Sequence, residues 1–131
     1  MKKIVIAVVV LGIGGIALVL FSGAAPAQSL AAEDFLTQYK QTPNAVLLDV
    51  RTVAEFRSGH IDGATNIDFE NMSFHSEVQK LDATKTYFVY CRSGNRSGQA
   101  ISAMKKSGFT NIYELKGGII SNQNALSLVG S

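Results

Sequence analysis

The residues best suited to chemistry lie between Tyr87 and Gly108, in the stretch YFVYCRSGNRSGQAISAMKKSG. An apolar segment ends there in Cys91, the only cysteine, and a loop with two arginines and a glycine follows. A cysteine is a nucleophile only as a thiolate, which nearby positive charge and backbone N–H groups stabilise. The pattern therefore predicts a reactive thiol, rather than a small buried apolar side chain, suited to anionic sulfur or phosphorus chemistry.

The loop after Cys91 offers three sources of thiolate stabilisation. Two arginines bring positive charge, and Gly94 permits a positive φ that can turn successive backbone N–H groups inward. A helix predicted to begin directly afterwards would point its positive end at the sulfur. No histidine is close in sequence, so we expect this local field, not a paired base, to activate the thiol. The predicted substrate-binding residues are Arg92, Ser93, Gly94, Asn95, Arg96 and Ser97.

Length and composition exclude several classes of protein. The chain has 131 residues, which suits one domain, and carries 12 Lys and Arg against 10 Asp and Glu. Without Lys2 and Lys3 the two totals are equal, so the concentrated basic face that nucleic-acid binding needs is not indicated. A single cysteine excludes an internal disulfide and a cysteine-rich zinc site. We expect no metal, no other cofactor and a monomer.

The N-terminal segment has the composition of an export sequence. Lys2 and Lys3 precede an uncharged apolar run, residues 4–21, and small residues at Ala25 and Ala27 bracket a cleavable position. This pattern predicts a signal peptide over residues 1–27 and a domain over residues 28–131. The run is long for a signal and at the lower edge of what spans a bilayer, so an uncleaved anchor helix is the alternative, with a buried core helix third. Both leading alternatives place the domain in the periplasm, either free or anchored to the inner membrane.

Apolar strands alternate with helical patterns in the rest of the chain. Ser29 is a candidate helix cap, and Thr52 with Glu55 forms a capping box. The predicted helices span residues 29–42, 52–58, 73–81 and 96–107, with a helical tail near 125–129, and the predicted strands span residues 45–50, 65–67, 86–90 and 111–115. Such alternation predicts an α/β domain with a parallel sheet, whose site lies beyond the carboxyl ends of the strands. Cys91 is at such an end.

Three stretches of the chain carry a family resemblance. They are LLDVRTVAEFRSGHIDGATNI (residues 47–67), YCRSGNRS (residues 90–97) and GFTNIYELKGGI (residues 108–119). With these motifs the chain from about residue 29 to residue 118 resembles a single-domain rhodanese, a thiosulfate-type sulfurtransferase. The resemblance implies an open parallel five-stranded sheet with helices on both faces. It also implies that Cys91 carries a persulfide between two half-reactions.

The implied reaction is a double displacement. Cys91 takes the outer sulfur of a small anionic donor such as thiosulfate and passes it to a thiophilic acceptor, cyanide or a thiol. Four residues separate Cys91 from Arg96, whereas related phosphatases and arsenate reductases use five, which disfavours those activities. A persulfide-carrying module that depends on a protein partner is the alternative from another class. With no second cysteine, the acceptor must come from outside the chain.

Further family positions predict supporting residues. Asp49 matches the family's aspartate and is expected to form structural hydrogen bonds beneath the loop. Arg51 is expected to pair with Glu55 across the short helix, and His60 to bond a backbone carbonyl instead of acting as a base. Gly117 and Gly118 are expected to form a tight turn near the loop. The family commonly has a tryptophan a few residues later, and this chain has none, which affects the expected packing of its C-terminal tail.

Overall fold

A five-stranded parallel sheet presents the Cys91 loop at its carboxyl edge. The computed structural model of the chain describes residues 4–11, 15–22 and 27–130. In chain order its elements are β1 (Ile4–Leu11), β2 (Gly15–Ser22), β3 (Gln28–Leu30), α1 (Ala32–Gln41), β4 (Val46–Asp49), α2 (Val53–Ser58), β5 (His60–Ile61), β6 (Thr65–Asn66), α3 (Phe74–Gln79), β7 (Tyr87–Tyr90), α4 (Asn95–Lys106), β8 (Ile112–Leu115), a 3-10 turn (Ile120–Asn122) and β9 (Leu128–Val129).

The main sheet has the strand order β3-β8-β7-β4-β6, and every pairing in it is parallel. The central strands β4 and β7 are continuous apolar runs because both faces of the sheet are covered. Their register places Asp49 beside Tyr90, so the first residues after both strands meet at one edge. The predicted parallel sheet of five strands is confirmed.

Two apolar clusters cover the two faces of this sheet. One contains side chains of α3 and α4, including Phe74, Val78 and Met104. The other contains Ala32 and Phe35 of α1. Fully burying a large apolar side chain stabilises the fold by roughly 1.5–3 kcal/mol, so these clusters fix the helices against the sheet. Helices therefore lie on both faces, as predicted.

The capping box at the start of α2 is also confirmed. The Thr52 hydroxyl accepts a hydrogen bond from the Glu55 backbone N–H at 3.2 Å, and the Glu55 carboxylate accepts one from the Thr52 N–H at 3.4 Å. Gly59 ends the helix with a φ of 153°, a conformation that favours glycine. This short helix holds Glu55 beside the Cys91 loop.

Two local predictions were wrong because long-range strand pairing overrode them. Ser29 does not cap α1: it lies in the edge strand β3, opposite Glu114 of β8, and the helix begins after Ala31 without a side-chain cap. The tail is not helical near residues 125–129, because β9 pairs antiparallel with the distant β5. The tail still contributes to the core, where Ile119 and Leu126 are buried without any tryptophan.

The backbone of residues 4–11 and 15–22 is paired as two antiparallel strands, β1 and β2. The β-branched residues that fill β1 favour strands. Within the described residues, no helix is long and apolar enough to cross a membrane. The signal or anchor role of residues 1–27 and the domain boundary at residue 28 stay predictions.

Candidate active site

The Cys91 loop connects β7 to α4 in four residues. Gly94 has a φ of 104° and precedes the first residue of α4, so the turn predicted from this glycine is confirmed. Its N–H donates to the Cys91 sulfur at 3.0 Å, and the sulfur is fully buried. The positive end of a twelve-residue helix therefore begins beside the thiol. The loop can hold a negative charge on sulfur.

The sulfur also contacts a short polar chain that leads to β8. Cys91 donates to the Ser97 hydroxyl oxygen at 3.3 Å. That hydroxyl lies 2.7 Å from the carboxylate of Glu114 and 3.1 Å from the Gly94 carbonyl. Ser97 is fully buried, so its position is fixed by these partners.

Glu114 was missed by the sequence analysis. Its signal is an acidic residue inside the apolar strand segment IYEL, at the register position beside Val89 of β7. Because neighbouring parallel strands end at the same edge, a carboxylate near the end of β8 can reach the loop after β7. That inference needs the strand order, which periodicity alone does not provide.

Arg96 faces α2. Its guanidinium donates to both carboxylate oxygens of Glu55, at 2.6 and 2.9 Å, and lies 3.9 Å from Glu70. The hydrogen bonds from Arg96 lower the pKa of Glu55 to about 2, and those to Glu55 raise the pKa of Arg96. The Cys91 sulfur also adds to the charges that raise it. Much of the positive charge predicted for anion binding is thus balanced by a carboxylate.

A buried ion pair lies beneath the same edge of the sheet. Arg51 Nε lies 3.1 Å from each carboxylate oxygen of Asp49, and Arg51 Nη2 lies 2.7 Å from Oδ2. Burial alone would lower the pKa of Arg51, but the hydrogen bonds and charge of Asp49 outweigh it and raise the pKa. The expected pair of Arg51 with Glu55 is wrong, because each side chain has a different partner. Asp49 has the structural hydrogen bonds expected of it.

Two further side chains brace this edge. Burial, and then the charge of Asp49, raise the pKa of Tyr90, whose hydroxyl accepts from the Ile61 N–H at 3.1 Å. The His60 ring stacks on Phe56 with centroids 3.7 Å apart, and its Nδ1 lies 2.8 Å from the Phe56 carbonyl. The structural contact predicted for His60 is confirmed.

The two glycines after β8 bring the tail against the loop. Gly118 has a φ of 63°, and a Cβ there would collide with the carbonyl groups of Cys91 and Arg92. The following N–H groups of Ile119 and Ile120 donate to those two carbonyls, at 3.1 and 2.9 Å. The tight turn predicted near the loop is confirmed, and its backbone hydrogen bonds fix the position of the Cys91 and Arg92 carbonyls.

The remaining predicted binding residues lie at the outer side of the loop. Arg92, Ser93 and Asn95 are exposed, whereas Arg96 is half-buried. Their role in binding substrate stays a prediction. Within residues 27–130 no cluster of three His, Cys, Asp or Glu side chains could hold a metal ion.

The family model that describes a rhodanese-like domain matches residues 32–124, which contain every described contact of the Cys91 sulfur. The chain belongs to the rhodanese-like domain family. Its rhodanese-like domain is 38% identical over 91 residues to the uncharacterized protein YqhL of Bacillus subtilis, covering 70% of this chain and 68% of that one. It is 32% identical over 98 residues to the thiosulfate sulfurtransferase GlpE of Pseudomonas entomophila, covering 75% and 81%.

A solved structure supports the same assignment. The crystal structure of a rhodanese-related protein from Thermoplasma volcanium matches with a TM-score of 0.68 and 28% identity, covering 79% of this chain and 99% of that one. Several other curated relatives are longer, and the chain spans only 19% to 49% of their length. Membership of the rhodanese-like family supports a sulfurtransferase-type or sulfur-trafficking role.

Proposed function

We propose that this rhodanese-like domain transfers sulfane sulfur from thiosulfate or a similar donor to a thiophilic acceptor, through a persulfide on Cys91. The observation that carries the proposal is the placement of the buried sulfur, 3.0 Å from the Gly94 N–H and beside the start of α4. Backbone N–H groups and a helix N-terminus stabilise negative charge on sulfur. The similarity to a named thiosulfate sulfurtransferase, GlpE, adds to this argument.

The proposed reaction has two balanced steps. The Cys91 thiolate attacks the outer sulfur of thiosulfate, a new S–S bond forms, and the old bond breaks with its electron pair leaving on sulfite. Cyanide or a thiolate then attacks the outer sulfur of the persulfide, and the bonding pair returns to Cys91. We expect the exposed Arg92 to attract the anionic donor by its charge.

A steady-state assay with thiosulfate and cyanide tests this proposal. The protein should form thiocyanate, and the Cys91→Ala variant should lose that activity because no other cysteine can carry the sulfur. Intact mass after thiosulfate treatment should rise by about 32 Da, one sulfur atom, in the wild type alone. Equal thiocyanate formation by both proteins would contradict the proposal.

A second candidate is a persulfide carrier that serves a protein partner. The observation that favours it is the charge around the loop, where Glu55 balances Arg96 and Glu114 adds a further carboxylate. Such a site attracts a doubly charged anion less strongly than a basic loop would. Labelling with a neutral low-molecular-weight persulfide would then exceed labelling with thiosulfate. Rapid turnover with thiosulfate and cyanide alone would argue against this candidate.

We also propose that the exchange takes place outside the cytoplasm. Lys2 and Lys3 before an uncharged run, with small residues at Ala25 and Ala27, support export either as a cleaved or as an anchored form. N-terminal sequencing of the protein recovered from the periplasm and from the membrane fraction separates the two forms. Recovery of the intact chain in the cytoplasm alone would contradict both.

A further inference from the structure

The contacts of Ser97 define the direction of its hydroxyl hydrogen. A hydroxyl has one hydrogen to donate and two lone pairs that accept. Of its three neighbours, the Glu114 carboxylate is nearest, at 2.7 Å, the usual distance of an O–H···O hydrogen bond. The hydrogen therefore points to Glu114, and the oxygen accepts the S–H hydrogen of Cys91 at 3.3 Å.

We propose that Glu114 is a positioning residue that orients Ser97 and accepts, through it, the proton that Cys91 loses on becoming a nucleophile. The S–H bond breaks as its proton passes to Ser97 Oγ, and the original Ser97 hydrogen passes to Glu114 Oε1. The electron pair of the S–H bond stays on sulfur. Ser97 is neutral before and after, and the negative charge moves from the carboxylate to the sulfur.

Because Cys91 is buried, forming its thiolate is costly unless another negative charge nearby is neutralised. Its sulfur is fully buried, and adding a charge to a buried group without moving another one is costly. Sharing one proton keeps the Cys91–Glu114 pair at a single negative charge throughout. If the proton is shared in this way, the rate of reaction of the thiol should change with pH in two steps that belong to the pair.

Glu55 and Asp49, two other carboxylates at this edge of the sheet, each form an ion pair with an arginine. The charge of Cys91 is one of the causes that raise the pKa of Arg96 on α4. The charge of Arg96 is compensated by Glu55 of α2, and Glu70 lies 3.9 Å from it. Asp49 and Arg51 at the end of β4 satisfy each other. Arg92 follows Cys91 in the loop and is exposed to solvent.

The test measures the rate at which iodoacetamide alkylates Cys91 in the full chain, from about pH 5 to about pH 10. The wild type should show two titration steps, and Glu114→Gln should show one, with a rate about tenfold lower near pH 6 and within about twofold at the highest pH. Glutamine keeps the shape and can still accept from Ser97, but it cannot take the proton. Glu77→Gln, an exposed change on α3 with the same loss of charge, should match the wild type.

Two results would overturn the proposal. One is a Glu114→Gln profile that coincides with the wild type, and the other is faster alkylation than the wild type at low pH, as expected if the carboxylate only repels a thiolate. If Glu114→Gln does not fold, Ser97→Ala and Ser97→Thr provide the test, because only the second keeps the hydroxyl and should keep two steps.

The inference rests on the proposed role of Cys91 as nucleophile, yet alkylation needs no sulfur donor. If the protein forms no thiocyanate but shows a two-step alkylation profile, the proposed sulfur transfer is contradicted and the relay is supported. If the wild type forms thiocyanate but shows a one-step alkylation profile, the relay is contradicted and the proposed sulfur transfer is supported.

Discussion

Two carboxylates flank the Cys91 loop, and their partners differ. Glu55 on the α2 side receives two hydrogen bonds from the Arg96 guanidinium, at 2.6 and 2.9 Å. Glu114 on the β8 side receives one from the Ser97 hydroxyl, and it forms no ion pair with any Lys, Arg or His of the described residues. A guanidinium keeps a carboxylate ionised and fixes its position, whereas a hydroxyl donates a hydrogen bond without a compensating charge.

The two sides of the site also differ in the contacts that support them. On the α2 side the buried pair of Asp49 and Arg51 continues the pattern of matched charge. On the β8 side the neighbouring support is backbone: Gly118 allows the tail to approach the carbonyls of the loop closely. One side of the site is thus held by ion pairs and the other by a close backbone contact.

The largest expected effect comes from breaking the buried pair on the ion-paired side. Asp49→Asn removes the charge that compensates Arg51 and should lower the free energy of unfolding by about 3 kcal/mol, because it leaves a guanidinium buried without a counter-ion. Urea unfolding at neutral pH measures this loss. Adding Arg51→Met to the variant should recover part of it, and a loss below about 1 kcal/mol would show that the pair is not what stabilises this side.

The backbone contact on the other side is tested by Gly118→Ala. The new Cβ would meet the loop carbonyls at a positive φ, so the free energy of unfolding should fall by about 2 kcal/mol. Gly98→Ala on α4 is the control: nothing lies within 4 Å of its added Cβ, and it should raise stability by about 0.5 kcal/mol. Equal unfolding midpoints for the two variants would refute the close-contact argument.

The smallest effect is expected for Glu55→Gln, which keeps the capping box but weakens the bond to Arg96. The Glu55 side chain is 30% exposed, so solvent screens the pair and the loss of stability should be about 0.5 kcal/mol. The pKa of Glu55 is lowered from 4.5 to about 2 on folding, so its contribution is complete above 4.5 and disappears as the pH falls towards about 2.

Unfolding curves of the wild type and Glu55→Gln, measured over this acidic range, check that sign. Their separation should be constant above about pH 4.5 and should close below it. A separation that grows on acidification would mean that Glu55 is not held ionised by Arg96.

The sequence predicted the features that depend on local residue patterns. The parallel sheet followed from continuous apolar runs, the start of α2 from Thr52 and Glu55, and the turn at Gly94 from its freedom to adopt a positive φ. Each of these signals lies within a few residues of the structure it specifies. The reactive placement of Cys91 belongs to the same class, because strand, loop and helix are consecutive.

The features that were missed depend on contacts between distant parts of the chain. The three-residue edge strand β3 exists through its pairing with β8, and β9 exists through its pairing with β5. Arg51 precedes the first residue of α2, so helical spacing could not pair it with Glu55. Glu114 reaches Ser97 only because β8 lies next to β7 in the sheet.

The burial of the Cys91 sulfur also limits the size of what can react with it. A disulfide requires the two Cβ atoms to approach within about 4.5 Å, and a fully buried thiol cannot meet the thiol of a second folded copy at that distance. Two copies of the chain should therefore resist cross-linking even in an oxidising compartment. We therefore expect small sulfur compounds to react with this buried thiol more readily than folded proteins do.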